Sequence, residues 1–127
     1  MKQIVNTPKA PAPIGPYNQA VWAGNFLYVS GQIPIDPSTG DLVTGDIRAE
    51  TERSMRNLQA ILEAAGLGFE QVVKSTIFLS DMELFTEVNE VYGSYFTEEN
   101  APARETLAVR HLPRYVNVEI SVVAYRP

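Results

Sequence analysis

The chain has 127 residues, 45% hydrophobic and 20% charged, with a net charge of −5 and a pI near 4.8. That is enough chain for one domain, residues 1–127, with a real hydrophobic core, and too apolar a composition for disorder. The acidic balance argues against a nucleic-acid-backbone footprint. The lack of cysteine excludes disulfides, thiolate zinc sites and cysteine nucleophiles, and no apolar stretch approaches the ~20 residues of a membrane helix.

A short strand is expected at Gln3 to Asn6. The proline-dense stretch from Pro8 to Pro16 reads as an ordered, extended arm, because proline fixes φ and restricts the residue before it. The arm delivers Tyr17 to a strand entrance. Gln19–Trp22 and Phe26–Pro34 form a hairpin around Gly24-Asn25, and Asp36-Pro37-Ser38-Thr39-Gly40 is a turn. Asp46 is a helix N-cap. From it Ile47, Thr51, Met55, Leu58, Ile61, Leu62 and Ala65 keep a helical period that stops at Gly66. Val72–Ser80 is a strand. Asp81 caps a second helix with the stripe Leu84, Val88, Val91, Tyr92 and Tyr95, ending before Asn100-Ala101-Pro102. Two strands close the chain, Arg104–Val109 and Val116–Tyr125. The amino-terminal Met1–Pro8 has no apolar core of signal-peptide length, so the cytoplasm is the expected compartment.

This order predicts an α+β fold, a sheet with two helices on one face. In the last strand Val116, Val118, Ile120, Val122 and Ala124 suit the helix side, leaving Asn117, Glu119, Ser121, Val123 and Tyr125 opposite. With Val73, Ile77 and Leu79 also toward the helices, Lys74, Thr76 and Phe78 join that second face, with Phe26, Tyr28 and Ser30. A face mixing aromatics with Glu, Ser and Thr is too apolar to leave bare and too polar for a core. It predicts a subunit interface holding a pocket.

The candidate chemistry starts from two charges inside apolar strands, which are costly unless paired, solvated or used. Arg104 presents a planar fork of donors matched to a carboxylate; the other reading is a structural ion pair with Glu119 or Glu105. Glu119 can orient or deprotonate a water if partly desolvated; the other reading is an exposed strand residue. On adjacent strands the two would hold a small anion and a water side by side. Tyr17 and Ser30 are hydrogen-bond donors at strand ends. Asn89 is a poor interior helix residue, facing either something polar or solvent. His111 is the sole histidine, which rules out a multi-histidine metal site and a paired-histidine ribonuclease. It reads as a loop residue, and the basic run Arg104, Arg110, His111, Arg114 reads as a solvated edge. Calcium-loop, zincin, phosphate-loop and nucleophile-elbow spacings are missing. The residues alone give a soluble α+β oligomer with a small-anion site.

Six segments in order resemble the RidA (YjgF/YER057c/UK114) family across essentially the whole chain. They are Ala12-Pro13-Ile14-Gly15-Pro16-Tyr17, Val29-Ser30-Gly31-Gln32-Ile33-Pro34, Asn57-Leu58 through Ala64-Ala65-Gly66-Leu67, Val88-Asn89-Glu90-Val91-Tyr92, Asn100-Ala101-Pro102-Ala103-Arg104, and Leu112-Pro113 with Val118-Glu119-Ile120. The resemblance implies a chorismate-mutase-like α+β fold and a homotrimer with three intersubunit clefts. It implies hydrolysis of reactive enamine/imine intermediates (2-iminobutanoate, 2-iminopropanoate), formed by PLP-dependent dehydratases, to 2-oxo acids and ammonia. By position Arg104 would clamp the substrate carboxylate and Glu119 would position the water. Tyr17, Ser30 and Asn89 would line the cleft, with Gly31 and Thr106 lending backbone groups. No metal or organic cofactor is implied, and the partners would be small 2-imino and 2-oxo carboxylates, with neither membrane nor nucleic acid. Three residues depart from the pattern: Thr106 replaces a frequent cysteine, Glu105 a small residue, and Ser121 a frequent second glutamate. Rival readings are an endoribonuclease or translation inhibitor, and a non-catalytic trimer that binds small carboxylates.

Overall fold

Caps and turns fix the first helix. In the computed structural model, which describes residues 2–127, the Asp46 carboxylate accepts from the Arg48 backbone N–H at 3.1 Å, and helix α1 runs Ile47–Ala64. At its end Gly66 takes φ +79°. The Gly66 N–H donates to Glu63 and the Leu67 N–H to Leu62, both at 2.9 Å. This paired closure satisfies the last carbonyls and requires a left-handed residue at that position, which glycine adopts without strain. Met55, Leu58, Ile61 and Leu62 are fully buried beneath the helix, each contributing about 1.5–3 kcal/mol of apolar burial.

The strands are β1 Gln3–Val5, β2 Ala20–Ala23, β3 Phe26–Gln32, β4 Val72–Leu79, β5 Ala103–Ala108 and β6 Val118–Tyr125; helix α2 spans Phe85–Gly93. They form one sheet in the order β1-β2-β3-β6-β4-β5. β6 lies antiparallel between β3 and β4, and β4 pairs parallel with β5. Each helix is therefore a crossover: α1 joins β3 to β4, and α2 joins β4 to β5. Both lie over one face, where α1 packs on β3, β6 and α2, and the Tyr92 hydroxyl of α2 donates to Ser75 Oγ of β4 at 2.9 Å. The core is the layer between, with Leu27, Val29, Ile77, Leu79, Val118, Ile120, Val122 and Ala124 from the sheet.

The α+β sheet with both helices on one face matches expectation, and β6 alternates as read, with Val118, Ile120, Val122 and Ala124 toward the helices. Four details differ. β6 begins at Val118 rather than Val116, because the Val116 N–H closes the preceding turn on the Pro113 carbonyl at 3.3 Å. Val73 points out, 43% exposed, because the β4–β6 register shifts between Val72 and Lys74; Val72 and Ser75 take the buried positions. β3 stops at Gln32 rather than Pro34, since a proline without an N–H leaves the ladder. α2 ends at Gly93, well short of Asn100. The Ser94 hydroxyl bonds the Val91 carbonyl at 2.6 Å, and the chain turns so that Tyr95 and Phe96 stack on Phe69, with ring centroids 5.0 and 5.4 Å away.

Among the described residues no helix covers the sheet's other face. Phe26, Tyr28 and Tyr125 are each more than a third exposed there, and Phe26 packs on Tyr125 at 5.0 Å. Lys74 and Glu105 pair across this face at 3.4 Å.

Candidate functional site

One irregularity in the sheet builds the first half of the site. Along β3 and β6, Val29 is opposite Val122 and Gln32 opposite Ile120. Ser30 and Gly31 thus face the single residue Ser121. Two residues against one bend a strand and re-aim its side chains. Here the bend lets the Glu119 side chain lie across Gly31. A Cβ on Gly31 would stand 2.3 Å from Glu119 Oε2 and 2.8 Å from its Cδ, so only glycine leaves room for the carboxylate. Glu119 is half-buried and makes no hydrogen bond or ion pair to another described residue. Burial, with nothing to offset it, raises its pKa above the ordinary glutamate value.

A cavity of about 430 Å³ opens in front of this carboxylate. Tyr17, Ser30, Gly31, Glu119, Ile33, Ile35 and the arm residues Pro11, Ala12 and Ile14 line it. Ser30 is tightly held: its hydroxyl donates to the Asn18 carbonyl at 2.6 Å and its N–H to the Gln19 carbonyl at 2.8 Å. The hydroxyl proton is thereby committed, leaving Oγ as an acceptor. The Tyr17 hydroxyl accepts from the Ile14 N–H at 3.5 Å, which leaves its own proton free to donate.

Two buried amides hold the walls. The Gln19 side chain accepts from the Thr7 N–H at 2.6 Å and donates to the carbonyls of Thr7, Ala10 and Pro11 at 3.0, 3.2 and 2.8 Å. It ties the proline-rich arm down as the outer wall. From α1, the Asn57 amide donates to the carbonyls of Ile33 and Ile35 at 3.2 and 2.9 Å, fixing the segment after β3. Sequence reading gave neither residue a role. A polar side chain beside the apolar stripe of α1 was the available signal for Asn57; none marked Gln19.

Arg104 lies elsewhere. In register it is level with Ser75 of β4 and so with Val122 of β6, on the helix side of the sheet, whereas Glu119 pairs with Phe78 on the open side. The expectation of adjacent strands is corrected here: β4 intervenes, the two residues are offset by about 10 Å across the sheet and about 10 Å along it, and they emerge on opposite faces. Neither Glu105 nor Glu119 pairs with Arg104. Its guanidinium donates to Asn89 Oδ1 at 2.6 Å and stands 5.1 and 5.6 Å from the ring centroids of Tyr92 and Phe85, a cation–π seat on α2. Asn89 is thus the partner that orients the fork, while the rest of an exposed guanidinium stays open. Two residues on, Thr106 shares that face, its Oγ1 buried without a hydrogen-bond partner. A second cavity, of about 470 Å³, is lined by Arg104, Asn89, Tyr92, Phe96 and Pro102. Within one chain, then, Tyr17, Ser30, Gly31 and Glu119 come together, and Arg104, Asn89 and Thr106 form a second, separate group.

His111 is in a loop, its ring edge-on to Tyr115 at 5.3 Å. Among the described residues no three His, Cys, Asp or Glu side chains gather to ligate a metal, and no helix is long and apolar enough to cross a membrane.

Residues 7–126 match the family described as Endoribonuclease L-PSP. A RutC family protein of Pyrococcus horikoshii is 51% identical over 99% of this chain and 99% of its own. A Mus musculus protein named 2-iminobutanoate/2-iminopropanoate deaminase is 46% identical over 98% of this chain and 91% of its own. The crystal structure of E. coli TdcF with bound serine superposes with a TM-score of 0.92, at 38% identity, covering 98% of this chain and 99% of that one.

Proposed function

The chain belongs to the RidA/YjgF (Endoribonuclease L-PSP) family, and from that membership and the geometry of the two groups we propose that it hydrolyses 2-imino acids, such as 2-iminobutanoate and 2-iminopropanoate, to 2-oxo acids and ammonia. The observation that carries this reading is the Glu119 carboxylate: half-buried, unpartnered, and laid over Gly31 in a cavity with Tyr17 and Ser30. The deaminase name of the mouse relative and the serine bound by the E. coli relative support a small amino or imino carboxylate as ligand.

The reaction needs a clamp for the substrate carboxylate beside a held water. One chain separates these groups, so the reading includes a homotrimer in which Arg104 of one copy reaches the Glu119 cavity of the next. The bare aromatic face of the sheet supports such a contact. The fork of Arg104, pre-set by Asn89, holds the carboxylate bidentately. The iminium carbon is already electrophilic, so placement supplies most of the acceleration. A water held by Glu119 attacks that carbon, and its proton passes to the carboxylate. Glu119 then returns the proton to nitrogen in the tetrahedral amino alcohol. The C–N bond breaks with its electron pair leaving on ammonia, and loss of the hydroxyl proton completes the 2-oxo acid. A carboxyl above its ordinary pKa suits both transfers. Ser30 Oγ accepts from the iminium N–H, and the Tyr17 hydroxyl donates to the developing carbinol oxygen. Such housekeeping chemistry belongs in the cytoplasm.

The test is a trapping assay. A threonine dehydratase generates 2-iminobutanoate, and semicarbazide captures what is not hydrolysed. The wild type should suppress semicarbazone formation, and Arg104→Ala and Glu119→Ala should not. Unchanged trapping with the wild type would sink the proposal. The family description favours a second reading, RNA cleavage. The pI near 4.8 and single histidine weigh against it, and salt-dependent RNA binding by the purified protein would restore it.

A further inference from the structure

The Glu119 cavity contains a second charge. Arg114 lines it, at the turn Pro113–Tyr115 between β5 and β6. Arg114 and Tyr115 both take left-handed backbone, φ 55° and 57°, a conformation disfavoured for residues with a Cβ. Consecutive strained residues persist only where the surroundings over-determine them, and they gather at functional sites. Here Leu112 and Val116 are buried on either side of the turn, and the Tyr115 N–H donates to the Leu112 carbonyl at 2.9 Å. The turn is pinned at both ends with Arg114 at its apex.

No described carboxylate neutralises this guanidinium. Among the described residues Arg114 makes no ion pair, and Glu119 is the only acid lining the cavity. Glu119 itself makes no ion pair to another described residue, and burial raises its pKa. The cation and the carboxylate thus share one cavity without meeting. Apolar Ile14, Ile33, Ile35 and Pro113 make up much of the remaining wall. An anion entering past them meets Arg114 without displacing a partner first.

We propose that Arg114 is a specificity-determining residue whose guanidinium takes a second, distal carboxylate, so that the cavity selects 2-imino and 2-oxo dicarboxylates over their aliphatic counterparts. This rests on the reading that the cavity receives 2-imino and 2-oxo acids, and it names the class among them. Arg104 serves the carboxylate next to the reacting carbon, and Arg114 the one at the far end of the side chain.

The experiment compares 2-oxoglutarate with 2-oxopentanoate, equal in chain length and differing in the distal carboxylate, by calorimetric titration of the full-length protein. The wild type should bind 2-oxoglutarate about tenfold more tightly at low ionic strength, the low end for a hydrogen bond to a charged group. Arg114→Met should abolish that preference and change 2-oxopentanoate affinity less than about twofold. Arg114→Gly, which removes the side chain but favours the left-handed backbone, should do the same, separating charge from turn geometry. Equal binding of the two ligands by the wild type, or equal weakening of both by the variants, overturns the proposal. The trapping assay with 2-iminobutanoate runs in parallel. If trapping is unaffected by the protein while the binding preference follows Arg114, the deaminase reading fails and the subsite stands. If imine hydrolysis is intact and the preference is missing, the subsite fails alone.

Discussion

Replacing Gly31 by alanine tests the site at its tightest point. The new methyl group would lie 2.3 Å from Glu119 Oε2, and ordinary contact begins near 3.4 Å. The carboxylate must therefore retreat by about 1.1 Å. Cδ at 2.8 Å and Cγ at 3.0 Å must swing with it, a side-chain rotation that leaves the strands in place. A displacement of about 1 Å in a catalytic group costs roughly 10²-fold in rate, equivalent to about 2.7 kcal/mol of activation energy. Stability should move little and in the other direction. Gly31 lies outside the left-handed region, so alanine restricts the unfolded chain and contributes about 0.4–1 kcal/mol, within about 4 °C of melting temperature for a domain of this size. The assay is imine hydrolysis with kcat and KM resolved, beside thermal melting. The expected result is a kcat near 1% of wild type, an unchanged KM, and a melting temperature equal or slightly higher. Wild-type kcat in Gly31→Ala, with Glu119→Ala inactive, would refute the placement of the carboxylate over this glycine. A large drop in melting temperature would show that the strand, not the side chain, gives way.

Arg104→Ala should lower kcat/KM for 2-iminobutanoate roughly 30- to 150-fold, the equivalent of about 2–3 kcal/mol for hydrogen bonds to a charged group, which leaves it inactive in the trapping assay, and steady-state kinetics check it. Glu119→Gln should melt above wild type at pH 8 and level with it below about pH 4. Burial raises the folded pKa of Glu119 above its ordinary value, so its contribution to stability is complete below the unfolded pKa and is lost as pH rises through the folded one. A wild type that outmelts the variant at pH 8 contradicts this sign. Asn57→Ala strands the Ile33 and Ile35 carbonyls and the Arg53 donor that reaches Asn57 Oδ1. It should cost about 2–3 kcal/mol, read as a lower denaturant midpoint at constant slope.

Local chemistry made much of the fold legible. Asp46, Gly66 and Asp81 act within a few residues of themselves, and the alternation of β6 is a property of one strand. Partner choice is not local. Arg104 follows the residues that make β6 in neither space nor face, because β5 joins the far side of β4 through a parallel pairing that periodicity does not encode. The same limit hid the separation of Arg104 from Glu119, while Ser30 and Gly31 on β3 meet Glu119 on the neighbouring β6, and Tyr17 reaches them from the arm. Val73 failed for a related reason: a shift of register flips a residue's face, and nothing in Val72-Val73-Lys74 announces it. Arg114 read as a solvated edge because its meaning depends on the Gly31–Glu119 cavity it overlooks.

The placing of Arg104 and Glu119 on opposite faces has a genetic consequence. In the assembly proposed above, each centre borrows its guanidinium from one copy and its carboxylate from another. Two inactive variants, Arg104→Ala and Glu119→Ala, would then complement each other when co-expressed. Random mixing in a closed ring pairs an intact Arg104 with an intact Glu119 at about a quarter of the centres. Two defects in one gene would rescue one another across subunits, and a heterozygote of two null alleles would not be null.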